Sequence, residues 1–400
     1  MNLDQERCVL CGRCVRFMRD IMHDEVLTMS QRGTFNAITV YPGRELDSNY
    51  SMNTVDLCPV GALTSKDFRF KMRVWFLKET KTIDVDCGTG TNITLWTRED
   101  KVYRITPRQN DAVNSCWMPD SHRLNYKYIN AETRIPQPVI RTDAEAPHRP
   151  SSWEPALASA AEAVKRIAPN QLAIIASGRM TNEELYMVRH LAAQIGTDMV
   201  DIVPRMGESD GMLISADRNP NTNGARLVLD IEPGSKLDAI REGVRSGSIK
   251  GILSLGEDLI SPEAGFTTED LDKLDYLFMT AHSANETARH ADLVLPGVTY
   301  AEKFGTMINV TGRIQRLNRA IQPIGYARDD WQIFRDITLL LGGNPALKDF
   351  NSALDILTAM STEYGALNGV SWGSIGDGGQ PILETGVTIP VVEREKNQGR

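Results

Sequence analysis

Beyond about residue 170, short apolar runs alternate with amphipathic segments. The apolar runs are "QLAIIASG" (171–178), "DMVDIV" (198–203), "IKGILSLG" (249–256) and "DYLFMTA" (275–281), and each has the length of a buried strand. Segments with helical periodicity lie between them. This alternation predicts a doubly wound α/β domain, with a parallel sheet that is covered by helices on both faces.

The helical segments carry their own start and stop signals. In "TNEELYMVRHLAAQIG" (181–196), Thr181 is the predicted N-cap, Glu184 completes a capping box and Gly196 is the predicted C-cap. Two further amphipathic helices are predicted over 235–247 and 328–343.

Other stretches do not show alternating strands and helices. Residues 83–107 alternate apolar and polar positions with turn signals between them, which predicts a small antiparallel sheet. A proline-bearing linker is predicted at 134–155, and the glycine-rich stretch 372–380 is predicted to be mobile.

Composition narrows the class of protein. The 400 residues are 41% hydrophobic, which is enough for a sizeable core, and the net charge of −8 argues against a nucleic-acid partner or an anionic lipid surface. The sequence has neither an export signal at its start nor a long uninterrupted apolar run. We therefore expect a cytoplasmic protein without direct membrane insertion.

Three of the six cysteines fall within seven positions. Cys8, Cys11 and Cys14 have C-x2-C-x2-C spacing, and the next cysteine, Cys58, directly precedes Pro59. This compact triplet with a distant Cys-Pro is typical of the ligands of a [4Fe-4S] cluster, since proline turns the chain away from the cluster. The sequence predicts one such cluster, because no further Cys-Pro directly follows the triplet.

Two alternatives concern the same region. Structural zinc also accepts four thiolates, but zinc sites normally use two C-x2-C pairs, so the triplet favours iron and sulfide. Gly12 lets the backbone approach the cluster. Arg7, Arg13 and Arg16 either offset the negative charge of the cluster or are solvated surface residues, and the sequence leaves both interpretations open.

The order of three motifs resembles a known family. The motifs are "ERCVLCGRCVRF" (6–17), "DLCPVGALTS" (56–65) and "ADLVLPGVTYAEKFGTMINV" (291–310). Together they resemble the family of G-type iron-sulfur subunits of bacterial NADH-quinone oxidoreductase (respiratory complex I), which is related to the molybdopterin oxidoreductases. The family's usual [2Fe-2S] region does not fit before Cys8, so we expect either a fragment or a shortened or split subunit whose upstream clusters lie on another polypeptide.

The resemblance implies an electron-transfer subunit without catalytic residues of its own. Cys8, Cys11, Cys14 and Cys58 would hold one [4Fe-4S] cluster between NADH-reduced flavin and quinone. The implied partners are the flavin-binding and other iron-sulfur subunits, and the location is the inner face of the cell membrane. The expected parts are a ferredoxin-like domain (1–75), a degenerate small β domain (76–135), a molybdopterin-oxidoreductase-like α/β domain (136–345) and a partly flexible extension (346–400).

Some members of the family hold a second cluster in the small β domain. The corresponding positions here are Asp84, Cys87, Thr91 and Pro119, which supply one thiolate of four. We therefore expect no second cluster.

The two cysteines and the histidine of this region are not expected to bind a cluster. Cys87 and Cys116 are expected to be small buried residues or lone thiols. His122 is expected to be a surface or capping histidine rather than a metal ligand.

An active molybdenum enzyme of formate dehydrogenase type is the alternative function. Its metal ligand would fall near Arg205, Met206, Glu208 and Ser209, where no thiolate occurs, although serine is a possible ligand. A pterin dinucleotide would lie where 215–229 and 301–315 converge. Without a ligand or a second cluster, we expect molybdopterin to be absent and the domain to be a scaffold.

Overall fold

The computed structural model describes residues 1–31, 33, 35–141 and 146–397. Its α-helices are Arg13–Arg16, Asn53–Leu57, Asp120–Leu124, Trp153–Arg166, Asn182–Ile195, Thr222–Leu229, Leu237–Ser246, Thr268–Leu271, Glu286–His290, Asp330–Leu340, Ala353–Glu363, Trp372–Ile375 and Pro390–Asn397. Its strands are Asn2–Leu3, Leu27–Ser30, Ala37–Val40, Leu63–Thr64, Lys78–Ile83, Asn92–Arg98, Lys101–Pro107, Val139–Ile140, Arg149–Pro150, Leu172–Ala176, Val200–Ile202, Gly251–Leu255, Tyr276–Ala281, Leu293–Pro296, Gly305–Ile308, Arg313–Leu317 and Gln380–Pro381.

The largest sheet is parallel over five of its seven strands. The spatial order of the parallel strands is Val200–Ile202, Leu172–Ala176, Gly251–Leu255, Tyr276–Ala281 and Leu293–Pro296. Helices cover both faces, and each face has its own hydrophobic core. Burying a side chain such as that of Phe278, which is 1% exposed, contributes about 1.5–3 kcal/mol. The predicted doubly wound α/β fold is confirmed.

The predicted capping of the helix Asn182–Ile195 is also present. The hydroxyl of Thr181 accepts a hydrogen bond from the amide of Glu184, whose carboxylate accepts one from the amide of Thr181. Gly196 ends the helix in the left-handed conformation with φ of 80°.

The stretch predicted as a linker contributes to this sheet. Val139–Ile140 pairs antiparallel with Leu293–Pro296, and Arg149–Pro150 adds the edge strand. The helix Trp153–Arg166 begins inside the same stretch, while residues 142–145 lie outside the described residues.

The stretch 372–380, predicted to be mobile, makes defined contacts. Its end begins the strand Gln380–Pro381, which pairs with Arg313–Leu317. Asp377 forms ion pairs with Lys81 at 2.8 Å and with Arg316 at 2.5 Å. Of the extension 346–400, the last three residues lie outside the described residues.

A three-stranded antiparallel sheet forms the small β region, as residues 83–107 predicted. Lys78–Ile83, Asn92–Arg98 and Lys101–Pro107 pair in that order. Residues between 300 and 321 of the α/β region complete its hydrophobic core.

The short helix Asp120–Leu124 joins the small β region to the N-terminal region. The carboxylate of Asp120 accepts hydrogen bonds from the hydroxyl of Ser51 and the amide of Met52. Arg123 forms a two-pronged ion pair with Asp56, at 2.5 and 2.8 Å. This helix therefore couples the segment that precedes Cys58 to the sheet behind it.

Candidate metal centre

Four cysteines of the N-terminal region line one cavity. Cys8 follows a 3-10 turn, Cys11 lies in the next loop, Cys14 is in the helix Arg13–Arg16, and Cys58 directly follows the helix Asn53–Leu57. Much of the remaining lining is apolar and includes Leu3, Val9, Ile38, Val60 and Leu63. The structure thus brings together the four residues that the spacing had singled out.

The loop between Cys8 and Cys14 uses two left-handed residues. Leu10 has φ of 54° and Gly12 has φ of 72°. A Cβ atom on Gly12 would lie 3.1 Å from Cε of Met29, which is the end of a flexible side chain that is 37% exposed and can move aside. Glycine therefore meets a conformational requirement at this position.

The chain turns back on itself directly after Cys58. The turn begins at Pro59, and the amide of Leu63 then donates a hydrogen bond to the sulfur of Cys58 at 3.4 Å. Burial by itself would raise the pKa of the Cys58 thiol, but hydrogen bonds from backbone amides outweigh burial and lower this pKa. The amides belong to Leu63, Val60, Ala62 and Gly61.

The thiol of Cys14 has the opposite shift. Burial raises the pKa of Cys14, and repulsion from Cys11 and Cys8 raises it further, although backbone hydrogen bonds oppose both effects. Several thiolates so close together need a bound cation to offset their charge, as a metal cluster would.

The spacing of the sulfur atoms suits a larger cluster better than a single zinc ion. A single zinc ion with Zn–S bonds of about 2.3 Å holds its sulfurs roughly 3.8 Å apart. Among the residues that the structure describes, no three of the four sulfurs lie within 4.8 Å of one another. In a [4Fe-4S] cluster each thiolate binds a different iron, so wider spacing suits it better.

The three nearby arginines have different surroundings. Arg7 is paired with Asp4 at 3.1 Å, whereas Arg13 lines the cavity of the cysteines. Arg16 is an exposed residue of the same helix as Arg13. Arg13 is therefore the one of the three whose position suits charge compensation at the cavity.

A second group of potential ligands lies in the small β region. The ligand atoms of Asp84, Cys87 and His122 all lie within 4.8 Å of one another. The carboxylate of Asp84 lies 2.7 Å from Nδ1 of His122. His122 is only 8% exposed, so the expectation of a surface histidine was wrong. The helix Asp120–Leu124 turns this side chain inward, which the sequence pattern did not indicate.

The four other candidate residues of this region lie in different surroundings. Cys87 is fully buried, as expected, and burial followed by the charge of Asp84 raises the pKa of its thiol to about 11. Cys116 is exposed, so of the two alternatives expected for it the buried position does not apply. Thr91 is buried in the turn before Asn92–Arg98, and Pro119 precedes the helix Asp120–Leu124.

The stretch suggested for a molybdenum ligand lies at the surface. Ser209 is exposed, and Arg205 forms a two-pronged ion pair with Glu257. A cavity does occur at the carboxyl edge of the large sheet, where Arg179 and Lys303 line it, but Ser209 does not. These positions do not provide a metal ligand at that cavity.

The two segments suggested for a pterin contact each other directly. Asn221 accepts a hydrogen bond from the amide of Ile308, and Asn223 donates one to the carbonyl of Asn309. These two hydrogen bonds hold the segments against each other.

Three family models match separate parts of the chain. Residues 1–64 match the ferredoxin-like domain of NADH-quinone oxidoreductase subunit 3, and residues 77–127 match the NADH-ubiquinone oxidoreductase NDSU1/NuoG-like 4Fe-4S domain. Residues 218–338 match the molybdopterin oxidoreductase model. The order of these matches follows the order of the motifs.

A solved structure shares the architecture. Acetylene hydratase from Pelobacter acetylenicus has a TM-score of 0.53 over 74% of this chain and 73% of its own, at 10% identity. This likeness concerns the fold alone.

Curated relatives match along most of the chain. The NADH-ubiquinone oxidoreductase 78 kDa subunit of Neurospora crassa is 28% identical over 86% of this chain, which spans 62% of that relative's length. The G-type subunit of NADH-quinone oxidoreductase from Rickettsia felis is 26% identical, and the chain spans 66% of its length. The corresponding subunit from Rickettsia bellii is 35% identical over 90% of this chain and 68% of its own length. At that identity and coverage, with the family models matching in the same order, the chain belongs to the family of G-type iron-sulfur subunits of NADH-quinone oxidoreductase.

Proposed function

We propose that this chain carries single electrons through one [4Fe-4S] cluster, as a subunit of an NADH-quinone oxidoreductase. The cluster ligands are Cys8, Cys11, Cys14 and Cys58. The observation that carries the proposal is that these four thiols line one cavity. The names of the relatives, which are NADH-quinone and NADH-ubiquinone oxidoreductase subunits, support the role.

The bound cluster supplies one-electron oxidation and reduction. The four thiolates bind its irons, and the amides after Cys58 stabilise negative charge on the sulfur of Cys58. Ile38 and Leu63 are buried in the lining, whereas Val9 and Val60 are exposed, so solvent reaches the edge of the cavity and helps to set the reduction potential. Arg13 contributes a positive charge at its edge.

The chain's place in the assembly follows from the same family. Electrons come from NADH by way of a flavin on a partner subunit and leave toward quinone. Further iron-sulfur subunits of the peripheral arm are the other partners, and the chain has no substrate site of its own. The described part of the chain has no helix that is both long and apolar enough to cross a membrane. We place the chain at the inner membrane face, attached through its partners.

The α/β region acts as a scaffold in this proposal. The exposed position of Ser209 and the direct contact of Asn221 with Ile308 support a domain without molybdopterin. The domain limits at residues 75, 135 and 345 stay predictions.

Metal analysis with electron paramagnetic resonance tests the function. Iron, acid-labile sulfide, zinc and molybdenum are measured on protein prepared without oxygen, and spectra are recorded after dithionite reduction. The proposal expects about four irons per chain and a fast-relaxing S = 1/2 signal. Stoichiometric molybdenum would contradict the scaffold role and support the formate dehydrogenase-type alternative. Protein without iron and without a reducible signal would contradict electron transfer.

A further inference from the structure

The small β region contains a compact set of three different metal-binding side chains. Asp84 directly follows the strand Lys78–Ile83, Cys87 lies in the next turn, and His122 comes from the helix Asp120–Leu124. Their ligand atoms all lie within 4.8 Å of one another. Asp84 is 2% exposed, Cys87 is 0% exposed and His122 is 8% exposed. One oxygen, one sulfur and one nitrogen ligand therefore meet in the protein interior.

This ligand set suits one borderline-soft divalent ion. Zinc is bound in proteins by thiolate, imidazole and carboxylate, at distances of about 2.0–2.3 Å. A carboxylate and a thiolate together supply two negative charges, which one divalent cation neutralises. Three protein ligands leave a fourth position for water, and a tetrahedral ion accepts this arrangement.

The charge of Asp84 is balanced within the group itself. His122 is its ion-pair partner at 2.7 Å, and no arginine or lysine of the described residues pairs with it. A divalent ion would therefore take the place of the proton that the carboxylate and the imidazole share.

A cubane does not fit at this place. A [4Fe-4S] cluster needs four ligands spread over four irons, but this region supplies one thiolate in a group tighter than such a cluster requires. The match of residues 77–127 to a 4Fe-4S domain therefore concerns its fold, while the ligands have changed.

The surroundings of the three residues are held by hydrogen bonds. Asp86 lies between Asp84 and Cys87 in sequence and accepts a hydrogen bond from Asn125 at 2.7 Å. The helix that carries His122 is fixed on its other side through Asp120, as described above. Rigid support on both sides is what a preorganised metal site needs.

We propose that Asp84, Cys87 and His122 bind one zinc ion at the position where other members of this family hold a second cluster. On binding, a zinc–sulfur bond forms and the thiol proton of Cys87 passes to solvent. The proton shared by Asp84 and His122 leaves in the same way, and no oxidation state changes. The ion then fixes the helix Asp120–Leu124 to the small sheet.

The test compares two cysteine variants of the full chain, prepared without oxygen and with its iron retained. Cys87→Ser removes the thiolate, and Cys116→Ser is the matched control at an exposed cysteine of the same region. After dialysis against micromolar zinc, the wild type and Cys116→Ser are expected to hold about one zinc per chain, and Cys87→Ser below roughly 0.2. Equal zinc in Cys87→Ser and in the wild type would overturn the proposal, as would a wild type without zinc.

Cobalt provides a second readout that depends on the ligands themselves. Co²⁺ in this site is expected to produce a thiolate-to-cobalt absorption band in the wild type, which Cys87→Ser lacks. His122→Gln keeps the thiolate but is expected to weaken cobalt binding at least about 10-fold. A wild type without the band would overturn the proposal.

Two controls complete the experiment. Zinc is expected to raise the thermal midpoint of the wild type but not of Cys87→Ser, and circular dichroism shows whether each variant folds. Iron in the same samples reports the proposed electron-transfer function separately, because none of these substitutions touches the four N-terminal cysteines. Normal iron without zinc in the wild type would overturn this proposal alone, and zinc without iron would contradict only the electron carrier.

Discussion

The sulfur of Cys58 accepts a hydrogen bond from the backbone amide of Leu63, at 3.4 Å. Only four residues separate the two, so the turn that starts at Pro59 brings the chain back over the sulfur. Three more amides of this turn act on the same thiol. The Cys58 position therefore stabilises a negatively charged sulfur, whereas burial raises the pKa of the Cys14 thiol and disfavours its charged form.

Cys58→Ala is expected to remove one of the four cluster ligands. Iron should fall from about four per chain to three or fewer, and the reduced cubane signal should be lost or replaced by that of a three-iron species. Cys116→Ala is the control and is expected to leave iron and spectrum unchanged, because Cys116 is an exposed residue outside the cavity. Equal losses in both variants would contradict the ligand assignment.

Gly12→Ala is expected to destabilise the loop between Cys8 and Cys14. The new methyl group adds a contact 3.1 Å from Met29 to the cost of φ at 72°. Gly43→Ala is the matched control, since Gly43 has φ of 78° but has no atom within 4 Å of an added Cβ. We expect both variants to lose about 1 kcal/mol of stability but only Gly12→Ala to lose iron, because Gly12 lines the cysteine cavity and Gly43 does not. Thermal unfolding and iron analysis measure both, and equal iron in the two variants would contradict this expectation.

Lys303→Met is expected to destabilise the α/β region by about 3–5 kcal/mol. The ammonium group of Lys303 lies 2.8 Å from both carboxylate oxygens of Glu184, and both residues are buried. Removing Lys303 leaves an unpaired charge inside the protein. Urea unfolding of the single variants and of Lys303→Met with Glu184→Gln gives the coupling energy. Additive losses would mean that the two side chains do not stabilise each other.

Glu183 is expected to make stability fall as pH rises. Burial raises the pKa of Glu183 to about 7, although its carboxylate accepts two hydrogen bonds from Thr306 at 2.8 Å. Between the pKa of the unfolded chain, about 4.3, and about 7, the folded state binds more protons than the unfolded state. The free energy of unfolding is therefore highest at the acidic end of this window, and it falls as the pH rises and Glu183 ionises.

Glu183→Gln tests this directly, because glutamine cannot ionise. From pH 5 to pH 8, its thermal midpoint is expected to rise relative to that of the wild type. The corresponding difference in the free energy of unfolding reaches roughly 3 kcal/mol. Glu154→Gln makes the same change at an exposed position and should show no such trend. A constant difference between Glu183→Gln and the wild type across this range would refute the expectation.

The sequence pattern predicted the α/β region well because its signals are local. A run such as 171–178 is apolar in all strand positions, and Thr181, Glu184 and Gly196 mark helix ends through contacts within a few residues. Cysteine spacing is equally local for Cys8, Cys11 and Cys14. The proline after Cys58 identified the distant member of the set.

The sequence patterns did not predict features that depend on packing between distant segments of the chain. A five-residue helix such as Asp120–Leu124 has too short a pattern to show which face is buried, so His122 was assigned to the surface. The strands at 139–140 and 149–150 arise because an edge of the large sheet is available to them. The amides around Cys58 are backbone groups, and side-chain identity does not reveal where they point.

The helix Pro390–Asn397 has a consequence for how the protein is made. Val391 and Val392 complete the hydrophobic cluster that contains Phe17 and Met18, next to the cysteine triplet. Domains generally fold in order as they leave the ribosome, starting with the N-terminal one. Here the first region completes its hydrophobic core only with residues 391 and 392. The timing of iron insertion is thereby tied to the emergence of residues far downstream of Cys58.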